Sequence, residues 1–116
     1  MNDPQRGELW WINFDPTVGA EISKLRLAVV VSPDSVGKLP LRIVVPVTEW
    51  KNRYASYPWH VSIRQGAHND LTKKSTADCF QVKSVSLERF HNPAGRISAL
   101  ELEEITVALQ ICVGAI

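Results

Sequence analysis

The 116-residue sequence predicts a mainly β fold, a small antiparallel barrel with a single C-terminal helix packed against it. Three observations support this fold class. About five short segments are rich in β-branched and aromatic residues and are separated by turn residues, which is typical of strands. The apolar period changes from two residues to about 3.6 only near the end of the chain. The length suits one core, and we expect residues 1–116 to form a single domain.

The first two predicted strands flank a loop. Residues 8–14 read ELWWINF, and this concentration of aromatic and β-branched side chains predicts a strand. The Asp-Pro pair that follows ends the strand, because proline lacks the N–H that a ladder needs. Residues 15–25 contain Gly19 and no apolar period, which predicts a loop. Residues 27–31 are continuously apolar, as expected for a strand covered on both faces.

Three further strands are predicted in the middle of the chain. Residues 41–48 are strongly β-forming, and Pro46 among them indicates a sheet edge or a bulge near the end of the strand. Residues 59–64 alternate between apolar and polar, which is typical of a half-buried strand. Residues 76–85 also alternate, but their apolar side chains share one face only if the register breaks near Phe80.

The C-terminal segment carries the signals of a helix. Ser98 and Glu101 have the spacing of a capping box, in which each side chain bonds the backbone N–H of the other residue. Apolar residues then recur at helical spacing, and Gly114 provides a stop signal. These features predict a helix over residues 99–112.

The charge distribution says more than the net charge. The chain has 13 basic and 12 acidic residues, a net charge of +1, which does not indicate a nucleic-acid binder. Residues 1–97 hold all 13 basic residues against 9 acidic ones, whereas residues 98–116 hold 3 acidic residues and no basic one. This asymmetry favours an anionic partner for the body of the domain.

Composition excludes several classes of protein. No run approaches the roughly 20 apolar residues of a membrane span, and the first residues form no signal peptide, so we expect no membrane association. Cys79 and Cys112 lack metal-ligand spacing and are a weak basis for a disulfide scaffold, which predicts free thiols in a cytoplasmic protein. The three histidines are scattered and no glycine-rich phosphate loop is present, so we expect neither a metal nor a cofactor.

Two polar residues occur where predicted strands meet loops. Arg26 opens the second strand, where a guanidinium can bind a phosphate through two hydrogen bonds and stabilise charge that develops on it. Thr48 ends the third strand, where its hydroxyl can orient a phosphate oxygen. Position alone leaves two ordinary alternatives open: Arg26 as a surface residue paired with Glu21, and Thr48 as a β-favouring residue without a role.

Three blocks of this sequence, in this order and spacing, resemble the MazF/PemK (Kid) family of toxins. The blocks are residues 10–21 (WWINFDPTVGAE) with 26–32 (RLAVVVS), residues 39–40 (LP) leading into 44–48 (VVPVT), and residues 81–85 (QVKSV). The resemblance extends from Arg6 to the final helix and therefore covers nearly the whole chain.

The resemblance implies an SH3-like small barrel of the CcdB/MazF type that forms a homodimer. It also implies the toxin of a type II toxin–antitoxin pair, a metal-independent endoribonuclease that cleaves single-stranded RNA at short sequences. Arg26 and Thr48 match the family's core active-site residues. The ribose 2′-OH is then the nucleophile, Arg26 stabilises the phosphorane, Thr48 fixes a phosphate oxygen, and the products are a 2′,3′-cyclic phosphate and a 5′-hydroxyl.

The sequence departs from the family pattern at four positions. Leu27 replaces a proline, and Ala20 stands where some members have a histidine. Phe80 replaces an acidic residue that serves as a base in some members, and Asp78 replaces an arginine. The general base is therefore unassigned. Glu21 is the best candidate, with a solvated loop carboxylate as its alternative.

We expect RNA contacts from the long loops and the last block. Residues 49–58 form a predicted exposed loop in which Trp50, Lys51, Arg53 and Tyr54 combine cations with rings that stack on unpaired bases. The alternative for the two rings is packing over the barrel end. Further predicted RNA contacts are Lys24, Gln81 and Lys83, and a solvated strand face is the alternative for Lys83.

Two rival functions remain open. The departures at Ala20 and Phe80 are compatible with a degenerate member that binds without cleaving. A gyrase poison of the CcdB type shares the predicted fold. Under the nuclease hypothesis, a basic and aromatic groove fits an acidic, partly disordered antitoxin of the MazE type, which competes with RNA.

Overall fold

Seven antiparallel strands and one C-terminal helix make up the computed structural model, which describes residues 2–116. The strands are β1 (Glu8–Asn13), β2 (Leu25–Val30), β3 (Leu41–Glu49), β4 (His60–Ile63), β5 (Ser75–Asp78), β6 (Lys83–Ser86) and β7 (Phe90–Arg96). The helix is α1 (Ala99–Cys112). Short 3₁₀ turns interrupt the connections, at Asp34–Val36, Asn52–Ser56, Cys79–Gln81 and Leu87–Arg89. The predicted fold class is confirmed.

Strand β3 connects the two parts of the sheet. The strand order is β4-β5-β3-β2-β1-β7, and β6 also pairs with β3. The first part of β3 pairs with β6 and then with β2, and its pairing with β2 ends at Pro46 opposite Ala28. From Val47 onward β3 pairs with β5 instead. The start of β2 and the end of β3 therefore do not pair with each other, and the sheet is open between them.

The core consists of two apolar clusters on opposite faces of the strands. Alternation along β2 sends Val29 into the larger cluster and Val30 into the smaller one. Helix α1 covers the larger cluster and contributes Ile105 and Ala108 to it. Full burial of a side chain such as Ile105 stabilises the fold by roughly 1.5–3 kcal/mol, so this packing holds α1 on the barrel.

The predicted capping box is present at the start of α1. The Ser98 hydroxyl accepts a hydrogen bond from the Glu101 N–H at 3.1 Å, and the Glu101 carboxylate accepts one from the Ser98 N–H at 2.9 Å. The second oxygen of the same carboxylate accepts the Arg64 N–H at 2.8 Å. Glu101 therefore ties the helix N-terminus to the chain just beyond β4. The helix bounds agree with those predicted from the sequence.

Two strand predictions need correction. The alternating segment 76–85 is two strands separated by the 3₁₀ turn Cys79–Gln81, which supplies the register break. Pro46 lies on an interior strand, at the last pair before β3 changes partner, rather than at a sheet edge.

Strand β7 was not predicted, because its Asn-Pro pair and its glycine are turn signals. Proline is tolerated in β7 because this is an edge strand. Gly95 has a φ of +97°, and a Cβ there would lie 2.0 Å from the His68 carbonyl oxygen. Only glycine fits this close approach of two backbones.

Two further predictions concern the cysteines and the membrane. Cys79 and Cys112 are free thiols, and burial raises the pKa of Cys79 to about 12. The Cys79 thiol therefore stays protonated at neutral pH and packs as a small apolar group. Within residues 2–116, no helix has the length and apolar character needed to cross a membrane.

Candidate functional site

A cleft of about 370 Å³ opens where β2 begins and β3 ends. Its walls include Arg26 and Thr48 together with Trp11, Leu25, Leu27, Val47, Glu49, Asp70, Leu71, Thr72, Lys73 and Ser75. Counting outward from the Ala28–Pro46 pair puts Arg26 opposite Thr48, on the same face of the sheet. The two strands have parted there, so a space remains between them. We call this space the first cleft.

Arg26 is half-buried in the first cleft and is held by its own loop. Its Nε donates a hydrogen bond to the Ser23 carbonyl oxygen at 3.0 Å. Within residues 2–116, no carboxylate forms an ion pair with it, so the alternative pairing with Glu21 is absent from the structure. The two terminal nitrogens are free of protein acceptors in the same part of the chain, and a planar fork of this kind suits bidentate binding of a phosphate.

Thr48 is positioned by the pairing of β3 with β5, where it lies opposite Thr76. Its hydroxyl donates to the Glu49 carbonyl oxygen at 3.2 Å. The hydroxyl oxygen keeps its lone pairs for a further donor, and rotation can redirect its proton towards a ligand oxygen. Strand geometry therefore fixes the place of this hydroxyl but leaves it free to bond a ligand.

The structure does not bring Glu21 into the first cleft. Glu21 is exposed, and one of its carboxylate oxygens accepts the Val18 N–H at 2.7 Å, which closes a turn in the loop before β2. It lines a second cleft of about 280 Å³ together with Ile22, Phe80, Gln81, Val82 and Lys83. The prediction of Glu21 as general base therefore gains no support from the geometry, because a base has to reach the proton that it accepts.

The carboxylates in the first cleft belong instead to Glu49 and Asp70, neither of which the sequence singled out. Glu49 lies 3.6 Å from the Lys73 ammonium, whereas within residues 2–116 the Asp70 carboxylate forms no ion pair. Residues 70–75 reach the cleft because β5 pairs with β3 and because the Trp50 N–H donates to the Lys74 carbonyl at 3.0 Å. Strand pairing of this kind leaves no local signal in the sequence.

The Gln81 side chain forms hydrogen bonds within the protein at both ends of its amide. Its Oε1 accepts the Ile22 N–H at 3.0 Å, and its Nε2 donates to the Ala20 carbonyl at 3.0 Å. The amide therefore braces the loop before β2, and one N–H and one lone pair remain for the predicted contact with RNA. Lys83 lines the same second cleft, and within residues 2–116 its ammonium forms no ion pair.

The remaining predicted cations lie outside both clefts. Lys24 is exposed, has a φ of +71°, and donates its N–H to the Asp15 carboxylate at 3.0 Å. Lys51 is exposed just before the 3₁₀ turn of the loop. The Arg53 guanidinium lies 5.0 Å from the centre of the Tyr54 ring.

Six rings form a continuous aromatic ladder along one side of the barrel. The ladder runs through Trp50, Tyr54, His60, Tyr57, Trp59 and Phe80. Tyr54 stacks on His60 with centroids 3.9 Å apart, and Tyr57 stacks on Trp59 at 4.9 Å. Tyr54, a predicted RNA contact, is half-buried in this ladder, and the Lys74 ammonium lies 4.7 Å from the centre of the Trp50 ring.

The environment of His60 in the ladder shifts its pKa. Burial lowers the pKa of His60, and the neighbouring Asp78 carboxylate partly opposes this effect.

Within residues 2–116, no group of three or more His, Cys, Asp or Glu side chains is arranged to hold a metal ion.

Comparison with known proteins identifies the family. Residues 5–113 match the model of the PemK-like, MazF-like toxins of type II toxin–antitoxin systems. The chain belongs to this family. Among named relatives, it is 35% identical to endoribonuclease MazF9 of Mycobacterium tuberculosis, over 92% of this chain and 93% of the other. It is 32% identical to the endoribonuclease toxin MazF of Escherichia coli K12, over 96% and 95% of the two chains.

Solved MazF structures share the fold. The crystal structure of MazF (Form-I) from Deinococcus radiodurans superposes with a TM-score of 0.83 at 26% identity, covering 98% of this chain and 99% of the other. The MazE–MazF (Form-II) crystal structure from the same organism gives a TM-score of 0.74 at 26% identity, with 98% coverage of both chains. The predicted resemblance to the MazF/PemK family is confirmed.

Proposed function

We propose that this MazF/PemK-family toxin is an endoribonuclease that cleaves single-stranded RNA in the first cleft. The observation that carries the proposal is the placement of Arg26 and Thr48 on the walls of one cleft, at the point where β2 and β3 part. Relatives that align over more than nine-tenths of the chain are named endoribonucleases, which supports the same activity.

Arg26 stabilises the charge that develops during the reaction. The ribose 2′-OH attacks the adjacent phosphorus, so the enzyme has to align a nucleophile that the substrate already carries. The attack puts additional negative charge on the phosphoryl oxygens of a pentavalent intermediate. The terminal nitrogens of Arg26, which are free of protein partners in the described residues, donate to these oxygens.

Thr48 fixes the phosphate against Arg26. Its hydroxyl donates to a non-bridging oxygen and keeps the 2′-oxygen, the phosphorus and the leaving 5′-oxygen in line. The P–O5′ bond breaks, its electron pair stays on the 5′-oxygen, and this oxygen takes up a proton from solvent. The products are a 2′,3′-cyclic phosphate and a 5′-hydroxyl.

A carboxylate of the first cleft removes the 2′-OH proton. Asp70 is the better candidate, because its carboxylate forms no ion pair in residues 2–116, whereas that of Glu49 lies beside Lys73. Glu21 lines the second cleft rather than the one lined by Arg26 and Thr48. We therefore assign the role of general base to Asp70.

The partners follow from the same family membership. The toxin acts in the cytoplasm as a homodimer, and a MazE-type antitoxin neutralises it, as the MazE–MazF complex from Deinococcus radiodurans suggests. Free cysteines agree with a reducing compartment. The antitoxin segment is acidic and partly disordered, and we expect it to compete with RNA for the clefts.

Incubation of the purified protein with a long unstructured RNA, in the presence of EDTA, tests the proposal. We expect cleavage at short recurring sequences, with cyclic phosphate and 5′-hydroxyl ends detected by mass spectrometry. Arg26→Ala should lower the cleavage rate by about 10²–10³-fold, with the exposed Arg64→Ala as a control for the loss of a positive charge. RNA binding without cleavage would favour the degenerate alternative, and trapped gyrase–DNA breaks with intact RNA would favour the CcdB-type alternative.

A further inference from the structure

The second cleft contains an exposed aromatic ring that the proposed chemistry does not use. Phe80 is 65% exposed, in the 3₁₀ turn Cys79–Gln81 between β5 and β6. It forms one wall of the cleft, beside Ile22 and Lys83. An exposed phenylalanine inside a concave site offers a flat apolar surface to a ligand.

Two contacts within the protein fix the position of the Phe80 ring. Trp59 packs edge-on against it, with the centroids 5.6 Å apart and the planes at 69°. The Asp78 carboxylate accepts the Phe80 N–H at 3.2 Å and so fixes the turn that carries the ring. Because the aromatic ladder supports only one side of the ring, the other side is open to the cleft.

The opposite wall is also preformed. Gln81 binds the loop before β2 at both ends of its amide, through the Ile22 N–H and the Ala20 carbonyl. This brace joins the loop to the turn that carries Phe80. A ligand that enters the cleft therefore has little backbone to order, which lowers the entropic cost of binding.

Two polar groups complete the lining. Within residues 2–116, the Lys83 ammonium forms no ion pair and is available to a phosphate. One oxygen of the Glu21 carboxylate accepts the Val18 N–H, and the other is left as an acceptor at the cleft wall. A flat ring, a cation and a carboxylate acceptor together match a nucleotide whose base carries an exocyclic amine.

The second cleft adjoins the first along the chain. Glu21 and Ile22 line one cleft and Arg26 lines the other. Five residues span at most about 17 Å when fully extended, and here the Arg26 side chain folds back onto Ser23. A short single strand of RNA can therefore reach from the second cleft to the phosphate that Arg26 binds.

We propose that the second cleft is a base-binding subsite, in which an unpaired base of the RNA substrate stacks on Phe80 and donates its exocyclic amine to Glu21. This inference rests on the proposed endoribonuclease function. It predicts that one position near the cleaved bond rejects uracil, which has no exocyclic amine.

A binding measurement separates this inference from the proposed function. RNA that carries the fluorescent base 2-aminopurine is titrated with the Arg26→Ala protein, so that no cleavage interferes. We expect the fluorescence to be quenched by stacking, and Phe80→Ala in the same background to weaken binding roughly tenfold and to remove the quenching. Phe80→Trp should retain both, because the larger ring preserves the stacking surface.

Leu100→Ala serves as the matched control, since Leu100 is equally exposed at 65% but lies at the start of α1. In the cleaving protein, Phe80→Ala should raise KM and allow uracil at one position. The inference is overturned if Phe80→Ala binds RNA like the parent protein, or if it changes only oligomeric state or antitoxin binding. Absence of RNA cleavage by the wild-type protein, with binding intact, would instead overturn the proposed function.

Discussion

The two clefts border the same loop, but different kinds of side chain line them. Residues from four separated segments line the first cleft, which contains a guanidinium, hydroxyls and carboxylates. The second cleft is lined by residues 21–22 and 80–83 alone, and it adds an exposed aromatic ring and an amide brace to one carboxylate and one ammonium. The difference teaches that two neighbouring clefts with distinct chemical groups can be held by largely separate parts of the chain. Disruption of one cleft should leave the other intact.

Arg26→Ala should have the largest effect on the reaction. Loss of the guanidinium removes the main stabilisation of the phosphorane, and we expect the single-turnover cleavage rate to fall by about 10²–10³-fold. RNA binding through the second cleft should persist, which a fluorescence titration measures. Arg26→Lys should restore only part of the rate, because an ammonium lacks the bidentate fork. An unchanged rate for Arg26→Ala would refute the proposed chemistry.

Asp70→Asn tests the assignment of the general base. Because the amide cannot accept the 2′-OH proton, we expect the cleavage rate to fall by about 10²-fold. Glu21→Gln is the comparison, and its effect should appear in binding rather than in the rate of a bound substrate. Rate–pH profiles of both variants decide the matter, and a larger rate loss in Glu21→Gln would return the role of base to that residue.

Gln81→Ala tests the brace of the second cleft. The substitution removes two hydrogen bonds to the loop before β2, and we expect a loss of about 1–3 kcal/mol in the free energy of unfolding. KM for RNA should rise because the loop is no longer held against Phe80. Urea denaturation and steady-state kinetics measure the two effects. Gln81→Glu, which keeps the acceptor but loses the donor, should lie between the parent protein and Gln81→Ala.

Substitution of His60 should have the smallest effect, and this effect should be confined to the free energy of unfolding. Because folding lowers the pKa of His60 below 6.5, the unfolded chain binds more protons in mildly acidic solution. The free energy of unfolding should therefore fall as the pH drops below about 6.5, and His60→Gln should reduce this loss. Thermal melting at pH 5 and pH 7.5 provides the check.

Local signals in the sequence predicted those parts of the fold that depend on neighbouring residues. The helix bounds follow from the capping box at Ser98 and from the apolar period, both of which act within a few residues. Strand β7 escaped prediction because Pro93 and Gly95 fit only through its edge position and its contact with His68. Those reasons are tertiary and cannot be read from a local pattern.

The residues of the candidate site also divide into those that local signals predicted and those that depend on the tertiary structure. Arg26 and Thr48 were predicted, because each stands at a strand end and within a block that resembles the family. Asp70 was not, since its place in the first cleft depends on the pairing of β3 with β5. Gln81 was predicted as an RNA contact, but its amide is used within the protein, and only the folded chain shows what lies beside it.

The 3₁₀ turn that carries Phe80 has a consequence for divergence among such toxins. Phe80 lies outside the strand ladders and is mostly exposed, so exchange of its side chain costs the barrel little stability. Thr48, by contrast, lies on the strand that joins both parts of the sheet. A substitution at the turn can therefore change the lining of the second cleft without disturbing the strand pairing that positions Thr48.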